Sequence, residues 1–454
     1  MNLEVVILAA GKGTRMKSDK AKVLHMLGEK PLISHVLDVA SSLNPDALAV
    51  VVGHQLEEVT KELPESVSLV KQEKQLGTGH AISEAVKVLD GSEGTLLVMF
   101  GDVPLVTSST LNRVLDGTNE YAITVLTAKL EDPGKLGRIV RDTSGNIERI
   151  VEAADATDEE KDIQEINSGI MAINKSDLIR WLPKLKPANN QGEFYLTDLV
   201  EIALAESAKV RAIVSDEPDE VIGINTQWDL AQAERLLQKK RVKELALKGV
   251  RIADPDRLDI RGDVQAGNDC FIDVNVVLEG SVFLGDRSSI GPGSVVIDSK
   301  LGDGTKILAH SVVEGAQVGS NCSIGPFARV RLGTIVEEGA KIGNFVETKK
   351  ARLGRGSKAS HLAYLGDADI GADCNIGAGT VTCNYDGIQK NETQIGDGVF
   401  VGTNSTLVAP INIGKDSFIA AGSTITSTVR ESDLAVGRAK QRNIEGWLPP
   451  SKRK

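Results

Sequence analysis

The chain has 454 residues, 41% hydrophobic and 25% charged. Single cores rarely grow past ~250–300 residues, so two or three domains are expected. A formal net charge of −11 argues against a general nucleic-acid or membrane-surface binder. The basic ending "SKRK" reads as a solvated tail. No apolar run approaches the ~20 residues of a membrane span. Val5–Ala10 is apolar but too short for a secretion signal. Cys270, Cys322, Cys374 and Cys383 lack CxxC spacing and a histidine partner set. They read as small buried side chains in a reducing compartment, which points to the cytoplasm.

In chain order, "EVVILAA", "ALAVVVG", "TLLVMFGD" and "AITVLTAK" are strand-like, while "PLISHVLDVASSL" and "GHAISEAVKVL" carry helical periodicity. The alternation predicts a mostly parallel sheet covered by helices over residues 1–226, with ligands beyond the carboxyl ends of the strands. Residues 227–248 contain no Gly or Pro and carry an apolar stripe of Leu230, Ala233, Leu236 and Leu237. They predict a long helix, an arm over 227–250 between two domains.

After about residue 250 an apolar residue recurs every six positions. The series runs Ile272, Leu278, Leu284, Ile290, Val296, then Leu301, Ile307, Val313, then Val318, Ile324, Val330, Val336, Ile342. Five-residue steps join these series. Later phases run Leu353, Ala359, Leu365, then Ile370 and Ile376, then Ile395, Val401, Leu407, Ile413, Ile419 and Ile425. Of 45 glycines, 28 fall in the last 204 residues, and many follow the apolar residue directly. A sustained hexapeptide period predicts a parallel β-helix over 251–454. Three hexapeptides make one triangular coil, the apolar residue points into the shaft, and glycine takes the corners. About nine or ten coils at ~4.8 Å each are expected. Residues 384–394 break the period and predict a projecting loop.

The opening "VILAAGKGTRM" runs a strand into a glycine turn that matches neither the Walker loop nor GxGxxG. Such a turn still offers backbone N–H groups to phosphate, and Lys12, Arg15 and Lys22 add positive charge. With "KVLH", "QLGTGHA", "FGDVPL", "GRI", "EINSGI" and "EFYLTDL" following in order, the N-terminal half resembles sugar nucleotidyltransferases. These are Rossmann-like α/β pyrophosphorylases. With the left-handed β-helix behind it, the whole chain resembles the bifunctional bacterial N-acetylglucosamine-1-phosphate uridyltransferase/glucosamine-1-phosphate acetyltransferase family. The resemblance implies that sugar phosphate attacks the α-phosphorus of UTP and pyrophosphate leaves, a reaction that needs alignment and charge neutralisation. It places Arg15 and Lys22 in catalysis. It places Leu8, Ala9, Ala10, Gly11, Lys12, Gln72, Gly77, Thr78, Phe100 and Gly101 around the nucleotide. Gly137, Glu152 and Asn167 face the acetylated sugar. Asp102 and Asn225 are the implied Mg²⁺ ligands, an oxygen set that this ion favours. Two residues depart from the family: Ala21 stands for a usual Pro, and Phe100 for a Tyr.

The β-helix carries a polar cluster that an inert shaft does not need: "FARVR", "NFVETKKARLG", "KASHLAYLGD" and "NIGAGTVTCNYDG". By the resemblance, His361 is the general base that deprotonates the acceptor amine as it attacks acetyl-CoA, with Glu347 orienting it; imidazole suits this role near neutral pH. Arg331, Lys349, Tyr364, Asn375 and Asn384 hold the amino-sugar phosphate. Ala378, Tyr385, Thr403, Ala421 and Arg438, with Asn384 again, face acetyl-CoA, and a backbone N–H near Ala378 serves the oxyanion. Leu332 stands for a usual Pro, and Thr403 for a Ser. The family packs as homotrimers, with acetyltransfer sites between subunits. The implied pathway makes UDP-N-acetylglucosamine for peptidoglycan, lipopolysaccharide or another cell-wall polymer. Two other readings rank lower: a single-activity sugar-1-phosphate nucleotidyltransferase, and a β-helix that is only a trimerisation stalk.

Overall fold

The structure is a computed structural model that describes residues 2–453 apart from Lys12, His54, Gln55, Asp90 and Asn119. It divides into two compact units, Met1–Leu237 and Gln238–Lys454.

In the first unit the buried run Leu3–Ala9 is the centre of a sheet. It pairs in parallel with Ala47–Val52 on one side and Thr95–Phe100 on the other. Ser68–Lys71 extends the first side, again in parallel. On the other side Glu165–Asn174 runs antiparallel between Thr95–Phe100 and Ile123–Lys129, and Val210–Val214 closes the edge. Apolar residues from both faces form two clusters beneath flanking helices, as a doubly covered parallel sheet requires. The hairpin Arg138–Arg141 and Ile147–Val151 hangs from Glu165–Asn174. The ligand-facing edge therefore gathers Leu8, Ala9, Gln72 and Phe100 at the carboxyl ends of parallel strands, as expected for an open α/β sheet.

The helix Gln227–Leu247 agrees closely with the sequence expectation. Its first half packs Leu230, Ala233 and Leu237 around Leu27, Leu32 and Ile224 of the first unit. Its second half buries Val242 and Leu245 in the core of the second unit. There Gln238 donates to the Ile260 carbonyl and accepts from the Ile260 N–H, at 2.9 and 2.7 Å.

The second unit is a left-handed parallel β-helix, with eleven rungs on one face. Each periodic apolar residue from Leu278 to Ile425 is buried in one shaft. Register explains the five-residue steps. Phe271 pairs with Ser289, eighteen residues on, whereas Ser289 pairs with Lys306, seventeen on. A short step therefore removes one corner residue from a turn and leaves the apolar column in register.

The glycines do two jobs: some take αL corners as expected, among them Gly280, Gly293, Gly304 and Gly339 (φ 68°, 68°, 66° and 69°), and others allow close approach of the chain. Many positive-φ corners belong to other residues: Asp298 (45°), His310 (56°), Phe327 (54°), Phe345 (59°), Leu362 (42°) and Asn404 (56°). Asp298 helps stabilise its corner by accepting from the Ser281 N–H at 2.9 Å on the previous turn. Apart from Gly325 (φ 99°), the glycines that follow the apolar residue have ordinary φ and are required by close approach. A Cβ on Gly302 would lie 2.6 Å from the backbone nitrogen of Ser320 in the next coil. Gly302→Ala is expected to cost about 1–3 kcal/mol. Gly339→Asn, at an open αL corner (φ 69°) with nothing within 4 Å of the built Cβ, is expected to cost far less. Urea melts of the two variants compare these costs; equal losses would refute the close-approach argument.

The cysteines also gain a structural role. Cys270, Cys322 and Cys374 are buried, and each sulfur lies 3.0–3.1 Å from a carbonyl of the next turn. Ser288, Thr305 and Ser357 make the equivalent hydroxyl bond from the same column. Cys383 stands outside this ladder and is partly exposed.

Candidate active sites of the two units

Two adjoining cavities open at the sheet edge of the first unit. One, of about 330 Å³, is lined by Leu8, Ala9, Ala10, Gly11, Lys22, Gln72, Gly77, Thr78, Phe100 and Asp102, among others. The other, of about 260 Å³, is lined by Gly137, Glu152, Asn167, Asn225 and others. They meet at Thr78, Phe100 and Asp102. Gly101, packed inward against Ile33, Val23 and Ala9, supports this junction. Lys12 lies outside the described residues.

At the junction the Lys22 ammonium ion-pairs with the Asp102 carboxylate and donates to Asn225 Oδ1 at 3.2 Å. The Arg15 guanidinium donates to the same Oδ1 at 2.8 Å. Asn225 is held by the cap of the following helix: Asp229 accepts from the backbone N–H of Asn225 and Thr226 at 2.9 and 2.8 Å, and Thr226 Oγ1 accepts from the Asp229 N–H. Ala21, standing for proline, keeps a proline-like φ of −54° ahead of Lys22, so the loop retains that geometry.

In the first cavity, Gly77 has a φ of 107°, and a Cβ there would lie 2.5 Å from the Phe194 carbonyl oxygen. Only glycine lets the segment from Phe194 cross so close. Thr78 Oγ1 then accepts from the Leu196 N–H at 3.0 Å. In the second cavity, a register irregularity between Asn167 and Met171 breaks the ladder and re-aims Asn167. The Phe100 ring packs on Gly169 in that break, where the usual tyrosine hydroxyl is missing.

Glu152 faces this cavity, and burial pushes its carboxyl above the usual range, opposed by a 3.4 Å bond from the Thr197 hydroxyl. Behind it lies a smaller cavity of about 190 Å³ lined by Asp155, Tyr195, Asp198 and Glu201. Burial, then Glu201 and Asp155, pushes Asp198 up to about 6 from 3.8. The folded chain thus holds this proton more tightly than the unfolded one. Ionisation costs stability as pH rises through that window, and the full cost is present above it. Asp198→Asn is therefore expected to raise the melting temperature at pH 8 and leave it unchanged near pH 3.5. An equal gain at both pH values would assign the effect to packing.

In the second unit the register builds one column. Asn344 pairs with His361, and the 17-residue offset puts Ala378 above it. Ile376 pairs with Val401 and Val401 with Ile419, which stacks Ala378, Thr403 and Ala421 on consecutive rungs. Arg438 reaches Gly422 beside Ala421. The His361 Nδ1 lies 2.7 Å from Asn344 Oδ1. An amide oxygen only accepts, so Nδ1 carries a proton, and in the neutral ring the lone pair is on Nε2.

This corrects the expectation for Glu347. Its carboxylate accepts from Arg331 at 2.6 Å instead, because Glu347 lies on the neighbouring face, one coil from Arg331. The side chain that contacts His361 Nδ1 is Asn344. It was missed because the offset of 17 is known only once the coils are counted.

Arg331, Lys349, Tyr364 and Asn384 gather on that neighbouring face. Gly366 lets them crowd, since a Cβ there would lie 2.5 Å from the Tyr364 hydroxyl and 2.8 Å from Asn384 Nδ2. Lys390 is a further residue that the sequence reading missed: with Arg331 it pushes the Lys349 ammonium below its usual value, the contact with Lys390 being the largest cause. Lys390 sits in the excursion loop, bridged to Tyr385 and outside the repeat, so the hexapeptide period gave no signal for it. The loop is an insertion at one corner: Asn375 pairs with Phe400, 25 residues on, and the ladder continues beyond it. Asn375 itself lies on the face of Lys358 and Phe400, away from Tyr364.

A sheet-edge pair of cavities and a polar column on a hexapeptide prism define a two-part transferase. The MobA-like NTP transferase domain matches residues 5–164, the GMPPB C-terminal domain residues 260–354, and the bacterial transferase hexapeptide (six repeats) residues 392–427. The chain is 48% identical over 451 residues to the bifunctional protein GlmU of Marinobacter nauticus, covering 99% of each. It is 47% identical over 453 residues to that of Pseudoalteromonas atlantica, with 100% of each covered. It is 48% identical over 452 residues to that of Cellvibrio japonicus, covering 99% of this chain and all of the relative. The chain belongs to the family of the bifunctional protein GlmU, and it is an enzyme with a nucleotidyltransferase domain followed by a hexapeptide acetyltransferase-type domain.

Proposed function

We propose that the chain makes UDP-N-acetylglucosamine in two steps, acetylation within residues 251–454 and uridylyl transfer within residues 1–226, with 227–250 as the linker. The observation that supports it most is the pair of cavities meeting at Asp102, with Lys22 and Arg15 at the junction. UTP lies in the larger, N-acetylglucosamine 1-phosphate in the smaller, and the α-phosphorus between them. The sugar phosphate oxygen forms the new P–O bond and pyrophosphate leaves. Arg15 and Lys22 neutralise charge on the phosphates, and Glu152, Asn167 and Gly137 orient the sugar.

Asp102 and Asn225 fit Mg²⁺: both present oxygen to one point, the position of the Lys22 ammonium. Among the described residues no group of three acidic, histidine or cysteine side chains surrounds such a point, so phosphate and water would complete the shell. When bound, the ion supplies further charge neutralisation at the phosphates.

In acetylation, Nε2 of His361 takes a proton from the glucosamine 1-phosphate amine as its nitrogen attacks the thioester carbonyl. The C–N bond forms, the C–S bond breaks, and the proton passes to the departing thiolate. Arg331, Lys349 and Lys390 hold the phosphate. Acetyl-CoA lies along Ala378, Thr403 and Ala421 towards Arg438, beside Tyr385 and Asn384.

The exposed Phe327, Phe345, Leu362, Phe400 and Phe418 favour a homotrimer, and so does the placing of Asn375 and Tyr364 on different faces. A neighbouring subunit would then complete the acetyltransfer site. No described helix is long and apolar enough to cross a membrane. The substrates are those of a cytoplasmic enzyme that feeds cell-wall polymer synthesis. A coupled assay with glucosamine 1-phosphate, acetyl-CoA and UTP, omitting one at a time, tests the proposal. Coenzyme A release must need the first two, and pyrophosphate release all three. Coenzyme A release without glucosamine 1-phosphate, or none at all, would refute the acetylation step.

A further inference from the structure

Gln72 is 3% exposed, yet it lines the nucleotide cavity just beyond the strand Ser68–Lys71. Its amide nitrogen has two close neighbours, the Gly77 carbonyl oxygen at 3.1 Å and His80 Nδ1 at 3.0 Å. A carbonyl oxygen only accepts, so the group between these neighbours is the NH₂. His80 Nδ1 must then accept, and its ring proton sits on Nε2. That nitrogen points at the Glu84 carboxylate, 3.5 Å away and one turn further along the helix Thr78–Val86. Lys87 holds the same carboxylate oxygen at 2.7 Å. The chain of bonds leaves Gln72 Oε1 as the amide atom without a partner among the described residues.

We propose that His80, fixed by Glu84, is a positioning residue for base selection: its unprotonated Nδ1 keeps the Gln72 amide turned so that Oε1 meets the nucleobase. An acceptor there suits the imide N–H of uracil. The corresponding ring nitrogen of cytosine is itself an acceptor and would face Oε1 without a proton between them. With Nδ1 lost, only the Gly77 carbonyl opposes a flip that would present NH₂ to the base. This rests on the reading of the larger cavity as the UTP site.

The test is kcat/KM for UTP and for CTP with N-acetylglucosamine 1-phosphate, on the full chain, with thermal melts alongside. His80→Leu removes the acceptor and is expected to lower the UTP-to-CTP ratio between about threefold and tenfold, the worth of one neutral hydrogen bond. The change should lie in KM for UTP, with kcat nearly constant. His80→Asn places an amide oxygen where Nδ1 was and should keep the ratio. Glu84→Leu frees the tautomer and should shift the ratio in the same direction as His80→Leu; it carries the test if His80→Leu does not fold. Gln72→Leu is the reference. If it lowers the ratio while a folded His80→Leu leaves it unchanged, the positioning role is overturned. His80→Asn falling as far as His80→Leu would overturn the acceptor argument. If Gln72→Leu leaves the ratio unchanged, the reading of the cavity itself fails.

Discussion

His361→Ala is expected to lower coenzyme A release by a factor of about 10²–10⁴, the usual contribution of a positioned general base. Pyrophosphate release from UTP and N-acetylglucosamine 1-phosphate should stay within about twofold, because that chemistry is assigned to the other unit. Asn344→Ala should also slow acetylation, by a smaller factor, since it frees the ring to turn and to exchange tautomers. Parallel measurement of the two products decides the matter. Loss of both activities in a well-folded His361→Ala protein would end the two-site account. Unchanged coenzyme A release would remove His361 from the reaction.

The second large effect is on stability. Lys175 is fully buried, and its ammonium lies 2.6 Å from the carboxylate of Glu4, itself 3% exposed. Glu4 sits on the central strand of the first unit, and Lys175 opens the helix Lys175–Trp181, where Asn174 caps the first turn. Lys175→Met leaves the carboxylate buried without its counter-charge, which should cost about 3–5 kcal/mol in urea unfolding of the first unit. Pairing it with Glu4→Leu removes both charges and should recover most of that loss. A single substitution costing less than about 1 kcal/mol would mean that water reaches the pair.

How legible was this in the sequence? The shaft was largely legible, since most inward positions are apolar and the triangular coil fixes their spacing at six; Thr348 and Thr382, buried in the same series, gave no apolar signal. The corners were not. An αL backbone is compatible with Asp, Asn or His, and here also with Phe327 and Phe345, so residue type alone does not mark it. The Gly-rich turn and "FGD" marked the sheet-edge cavity, because strand ends and basic residues cluster there in the sequence too. Asn344 and Lys390 stayed hidden for different reasons. The first is a neighbour only through coil stacking, and 361 minus 17 points to it once the register is known. The second belongs to an insertion with no period to read. The Glu4–Lys175 pair joins residues 171 positions apart, each inside a run that looks ordinary.

The rungs behind His361 amount to a ruler. From His361 to Ala421 the column climbs three rungs, and each adds the fixed interstrand spacing of ~4.8 Å. Distance along the proposed acetyl-CoA track is therefore quantised in whole turns rather than adjusted residue by residue. One residue more or less within a turn is taken up at a corner, and a longer insertion is expelled as a loop, as the excursion after Asn384 shows; both leave the graduations untouched. Only the gain or loss of a complete coil would change the reach from the base to the far end of the track. The prism thus buffers the spacing along this column against small insertions and deletions.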